Sequence, residues 1–117
     1  MRVFVVEDDA DTRRFITWLL TSMTSHEISS FPNAEDALDE IRRGQPSVLL
    51  TDLDLPGLSG ESLARVASRL PAPPRVVFMS SDAKRLEAAR VQAPSLLRKP
   101  FSIEELLSFF EEPLEGS

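Results

Sequence analysis

The chain has 117 residues, a net charge of −6, 42% hydrophobic and 27% charged residues, and no cysteine. That length fits one domain, residues 1–117, with a core of its own, and the composition is that of a globular protein. The acidic balance argues against direct nucleic-acid binding, no apolar run approaches the ~18 residues of a membrane span, the amino terminus lacks a signal-peptide layout, and missing cysteines remove disulfides and thiolate metal sites, so a cytoplasmic location is expected.

Arg2-Val3-Phe4-Val5-Val6 reads as a buried strand running into Glu7-Asp8-Asp9. A helix follows, with Phe15, Ile16, Leu19, Leu20 and Met23 at helical spacing, Asp8 or Asp9 as its cap and Asp11 in its first turn. Trp18 falls beside this stripe and reads as a half-exposed surface indole. The next strand, about Glu27 to Phe31, is short and polar, which suits a sheet edge; His26 before it has no histidine partner and reads as a surface residue. Asn33 caps a helix with Ala34, Ala37, Leu38 and Ile41 on its apolar face, closed by Gly44 at C′.

Val48-Leu49-Leu50-Thr51-Asp52 is the central strand, and Leu53-Asp54-Leu55-Pro56-Gly57 turns away from it. Ser59 opens a third helix with Leu63, Val66, Ala67 and Leu70, ended by Pro71-Ala72-Pro73-Pro74. Arg75 to Met79 forms a fourth strand that delivers Ser80 and Ser81, and a fourth helix runs from about Asp82 to Val91. A last strand, Ser95 to Arg98, delivers Lys99 before Pro100. Ser102-Ile103-Glu104-Glu105 is a capping box that opens a final helix with Ile103, Leu106, Leu107 and Phe110. Five strands alternating with five helices predict an α/β fold, a parallel sheet with helices on both faces.

The strand ends carry the chemistry: Glu7/Asp8, Asp52, Ser80 and Lys99. In a parallel sheet all of them open at one edge, where open α/β folds bind ligands. Clustered carboxylates repel, by ~1 kcal/mol for a pair at ~4 Å in water and ~4 kcal/mol in a protein-like dielectric, so they call for a cation. Oxygen ligands without histidine or cysteine point to Mg²⁺. Ser80 supplies a hydroxyl and Lys99 a mobile positive charge, which together suit a phosphoryl group with Asp52 as nucleophile.

These residues resemble the receiver domain of two-component response regulators over essentially the whole chain. The acidic pair after the first strand is Glu7-Asp8, the phosphoacceptor Asp52 is trailed by Pro56-Gly57-Leu58-Ser59-Gly60, the hydroxyl residue is Ser80, and the Lys-Pro-Phe signature is Lys99-Pro100-Phe101. The resemblance implies a flavodoxin-like, doubly wound five-stranded sheet of order 2-1-3-4-5 and a cis peptide before Pro100. It implies Mg²⁺ held by Asp8, Asp52 and the backbone carbonyl of Asp54, with Glu7 acting mostly through water. It further implies that Asp52 accepts a phosphoryl group from a phosphohistidine on a sensor histidine kinase or histidine phosphotransfer protein. The chain is then a signalling domain rather than an enzyme, acting on a downstream effector or a fused output domain, with a phosphorylation-dependent dimer as a further expected partner.

Three features depart from the family pattern. Glu7 stands where Asp is commoner, the segment between Ser80 and Lys99 is about one helical turn short and lacks the customary Gly-Ala, and Leu96 occupies the switch position where many members carry Tyr or Phe. Output through a route other than an aromatic switch is therefore expected, with Trp18 on the first helix or Phe109 on the last as alternative surfaces. Two competing readings remain at the level of sequence. Thr51-Asp52-Leu53-Asp54 also matches the Asp-x-Asp of haloacid-dehalogenase-type phosphatases, although those place their acidic pair last and here it comes first. A pseudo-receiver that only binds partners is the other. With no effector domain in these residues, the chain is expected to be either a stand-alone regulator or a piece of a longer protein.

Overall fold

The computed structural model describes residues 1–110. The strands and helices alternate as β1 (Arg2–Val6), α1 (Ala10–Met23), β2 (Glu27–Phe31), α2 (Ala34–Arg43), β3 (Val48–Asp52), α3 (Gly60–Ala67), β4 (Arg75–Ser80), α4 (Ala83–Ala89), β5 (Ser95–Arg98) and α5 (Ile103–Leu107). All pairings are parallel and the sheet order is 2-1-3-4-5, as expected for the flavodoxin-like fold. The central strand β3 is buried along its whole length, whereas β2 is an edge strand with only Phe31 fully covered.

Alternation along the strands sends side chains to two cores. Val3, Val5, Leu50, Val77 and Met79 face Ile16, Leu19 and Leu20 of α1 and Leu106 and Phe110 beside α5. Phe4, Val6 and Leu49 face the opposite way, against Ala34, Ala37 and Ile41 of α2 and Leu63 and Ala67 of α3. The small residues of α2 and α3 let those helices lie close to the sheet, and Phe4 fills the space left, its ring 4.9 Å from that of Phe31. A third cluster, Leu53, Ala64, Phe78, Leu86 and Ala89, seats α4, with Leu96 half-buried against it.

Helix starts follow the expected caps. Asp9, rather than Asp8, accepts the Thr12 amide at the head of α1; Asn33 and Ser59 cap α2 and α3, and Ser102 with Glu105 completes the capping box of α5. The peptide between Lys99 and Pro100 is cis. Trp18 is 62% exposed and belongs to the surface, its ring 6.5 Å from that of Phe15.

Several expectations need correction. Phe15 and Met23 of α1 are exposed, because the sheet covers only the strip formed by Ile16, Leu19 and Leu20. Val66 and Ile103 are exposed for the same reason on α3 and α5. Gly44 does not take the left-handed C′ conformation; it is itself the C-cap, with φ −172°, and its amide bonds Glu40. The left-handed glycine is Gly57, at φ +77° in the turn after β3. His26 is buried rather than on the surface, its Nε2 3.4 Å from the carbonyl oxygen of Phe110, so the last turn after α5 covers it. The fourth helix is shorter than read, ending at Ala89 instead of near Val91. The chain end at Glu115-Gly116-Ser117 lies outside the described residues.

Candidate functional site

Strand register brings the chemistry to one row. Val6 pairs with Thr51, so Glu7 comes level with Asp52; Asp52 pairs with Met79, just before Ser80; and Ser80 pairs with Arg98, just before Lys99. Backbone bonds carry the ladder past the formal strand ends: the Leu53 amide donates to Met79, that of Lys99 to Ser80, and that of Glu7 to Phe31. Each functional side chain therefore leaves a backbone that is already fixed.

Glu7, Asp8 and Asp52 each offer one carboxylate oxygen, and the three oxygens lie within 4.8 Å of one another. The side chains of Glu7 and Asp52 are 1% and 5% exposed, while Asp8 faces solvent. Among the described residues no histidine or cysteine joins this group, and an all-oxygen donor set fits a hard divalent cation. Lys99 lies between the two buried acids. Its Nζ donates to Oδ2 of Asp52 at 2.6 Å and also contacts Oε1 of Glu7. The other oxygen of Asp52 accepts the Asp54 amide at 3.0 Å. Arg13 of α1 donates to the backbone carbonyl of Glu7 at 2.8 Å and fixes the loop from behind.

Burial pushes the Glu7 carboxyl up to about 7; the Lys99 contact pulls it back, and Asp52 adds repulsion in the raising direction. Lys99 keeps its proton beyond the ordinary lysine range: burial works against its charge, but Asp52 and Glu7 outweigh that cost. A cleft of about 350 Å³ opens beside Lys99, lined by Thr12, Phe15, Ser81, Pro100 and Phe101.

The side chains of Ser80 and Asp54 bond each other rather than the buried acids or Lys99. The Ser80 hydroxyl donates to Oδ2 of Asp54 at 2.9 Å and accepts the Asp82 amide at 3.0 Å. The Asp54 side chain thus lies outside the carboxylate cluster. Asp82 caps α4 through the Lys84 and Arg85 amides. Sequence reading missed Arg85, whose guanidinium reaches Asp54, Glu61 and the Leu53 carbonyl. Its partners lie 24 to 32 residues away, and no local pattern signals them.

Known proteins resemble both the sequence and the fold. LytT of Bacillus subtilis, a sensory transduction protein, is 32% identical over 108 residues, which are 91% of this chain and 45% of LytT. The chain therefore spans less than half the length of that relative. CpdR of Brucella abortus, a response regulator receiver protein, is 30% identical over 97% of this chain and 96% of its own length. The crystal structure of the response regulatory domain of MrkE from Klebsiella pneumoniae superposes with a TM-score of 0.83 at 25% identity, covering 94% of this chain and 95% of that one. Residues 3–111 match the model of the response regulator receiver domain. With its sheet order, its strand-end acids and lysine and that match in agreement, the chain belongs to the response regulator receiver domain family.

Proposed function

We propose that the chain is a Mg²⁺-dependent phosphoacceptor and that Asp52 is the residue phosphorylated. The observation that carries the reading is the Lys99 ammonium seated between the buried carboxylates of Asp52 and Glu7, with Asp8 alongside. Asp8, Asp52 and the Asp54 carbonyl would hold the metal, with Glu7 acting through water. When bound, Mg²⁺ supplies positive charge against the carboxylates and the oxygens of the transferred group.

The donor is a phosphohistidine on a sensor kinase or histidine phosphotransfer protein, which approaches over the cleft between α1 and Lys99. An oxygen of Asp52 attacks phosphorus as the phosphorus–nitrogen bond breaks, and the bonding electrons return to the donor imidazole. The Asp54 amide holds Oδ1 of Asp52 and Lys99 holds Oδ2, so the carboxylate is oriented before the donor arrives. Lys99 then follows the new negative charge outward, and the Ser80 hydroxyl takes a phosphoryl oxygen. The result is an acyl phosphate on the protein itself, which is signalling rather than turnover of a substrate.

Output passes to a downstream partner or a fused domain. Ser80 is the mobile member of the switch pair, and Leu96, half-buried and without a ring, gives a smaller surface change than an aromatic residue would. The face carrying Trp18 or that carrying Phe109 serves instead, including for any phosphorylation-dependent dimer.

Labelling by acetyl phosphate tests the assignment. Asp52→Asn keeps the shape and loses the nucleophile, so label should vanish, whereas Asp54→Asn should still label. The reverse pattern would make Asp54, not Asp52, the nucleophile and refute the assignment. Metal dependence has its own test in thermal unfolding. At ~100 times its Kd, Mg²⁺ should add about 2.7 kcal/mol to stability, and an unchanged midpoint at millimolar metal would refute a site here.

A further inference from the structure

Arg85 has no part in the phosphoryl transfer just described, yet it ties three elements together. Its Nη2 donates to Oε1 of Glu61 on α3 at 2.8 Å and to the Leu53 carbonyl at 3.0 Å, while Nη1 pairs with Oδ1 of Asp54. The contact with Glu61, and behind it the charge of Asp54, holds the guanidinium firmly protonated against the cost of partial burial. Oδ2 of Asp54 accepts the hydrogen bond that the Ser80 hydroxyl donates. Arg85, Asp54 and Ser80 thus form one chain of contacts that ends at the residue expected to grip the phosphoryl group.

A serine hydroxyl has one proton to donate. Here it goes to Asp54, and a lone pair of the same oxygen takes the Asp82 amide. A phosphoryl oxygen on Asp52 accepts that hydrogen bond only when the hydroxyl turns away from Asp54. Asp54 on a free turn would yield at little cost. Fixed by a guanidinium that is itself held by Glu61 and a backbone carbonyl, it yields less readily, because a planar fork with several fixed acceptors loses little entropy in staying put.

We infer that Arg85 is a positioning residue for phosphoryl capture: through Asp54 it holds the Ser80 hydroxyl away from Asp52, so that the unphosphorylated state is latched. The inference rests on Asp52 being the phosphoacceptor. Phosphorylation then has to open the latch, exchanging Asp54 for a phosphoryl oxygen as the acceptor of the Ser80 hydroxyl. The guanidinium charge works in the opposite direction, since it favours an incoming anion. At 35% side-chain exposure that attraction is screened by solvent.

The test is affinity for beryllofluoride, a phosphoryl mimic, in saturating Mg²⁺, with the unfolding midpoint recorded for each variant. Arg85→Ala should bind the mimic about fivefold more tightly, ~1 kcal/mol, the worth of roughly one hydrogen bond. The gain should disappear in a Ser80→Ala background, where there is no hydroxyl to release. Arg85→Lys should behave like Arg85→Ala, because a single ammonium does not reproduce the fork. Affinity unchanged or weakened in Arg85→Ala, an equal gain with and without the Ser80 hydroxyl, or a lysine variant equal to wild type would each overturn the latch. A lowered midpoint with unchanged affinity would do so too, by reducing Arg85 to a structural tie. Wild-type protein that binds the mimic no better than Asp52→Ala would instead sink the phosphoacceptor reading, and the latch with it.

Discussion

Lys99→Ala is expected to lower stability by about 3–5 kcal/mol near pH ~8 without divalent metal, the usual cost of removing one partner from a buried charge cluster. Among the described residues the ammonium is the one cation in contact with two side chains that are 1% and 5% exposed, so its loss leaves Glu7 and Asp52 facing each other out of water. The pH dependence separates this from lost packing of the lysine stem. The Glu7 carboxyl sits at about 7 in the folded protein against an ordinary 4.5, so the folded state holds that proton more tightly than the unfolded chain. Its contribution is fully present below about 4.5 and is lost as pH rises through about 7. The wild type should therefore soften across that window, and in Lys99→Ala the softening should extend to higher pH. Adding Glu7→Gln to Lys99→Ala should restore much of the loss. Urea unfolding measures all three, and a deficit of equal size at acidic and alkaline pH would mean that packing, not charge, is what Lys99 supplies.

Gly60→Ala should be the most damaging single methyl near the site. A Cβ at Gly60 would lie 2.1 Å from the carbonyl oxygen of Asp52 and 3.2 Å from Oγ1 of Thr51. The nearer atom is backbone, so nothing rotates out of the way; α3 or the end of β3 must move. Alanine favours a helix over glycine by ~1 kcal/mol, which makes the sign informative. Overpacking of this severity costs about 3 kcal/mol and wins. Because the displaced backbone is that of Asp52, phosphoryl acceptance should fall by roughly 10²-fold, the scale expected for a misplacement of about 1 Å. Denaturant unfolding and the rate of labelling check the two halves of this expectation. A variant as stable as wild type would show that the start of α3 shifts at no cost.

The sheet and the cluster of acids with lysine were legible in the sequence because both are written locally. An apolar run closed by an acid, a hydroxyl or a lysine names a strand and its functional end at once, and Asp9, Asn33, Ser59 and Ser102 each name a helix start within three residues. Exposure along a helix is not local. Phe15 and Ile16 look equivalent in the pattern, and only the width of sheet that α1 covers separates them. His26 was misread because what buries it is the turn after α5, 84 residues later. Arg85 was missed for the same reason, since a guanidinium on a polar helix face gives no sign of the three acceptors that fold toward it. Gly44 followed a helix, as left-handed caps do, but the chain leaves α2 extended, and the glycine that needs its freedom is Gly57.

The seating of Lys99 between Glu7 and Asp52 also bears on the order in which the domain can be completed. On a chain made from its amino terminus, β1 and β3 exist before β5 does. Their pairing brings Glu7 and Asp52 together while the residue that neutralises them is still unmade or undocked. Until β5 adds to β4, the half-built sheet holds a mutual repulsion at its centre, which disfavours a compact truncated product. Docking of the last strand relieves it and adds the final rung of the sheet in the same event. The charge that offsets the two carboxylates thus arrives with the last strand of the sheet, and a nascent chain released before Lys99 lacks it.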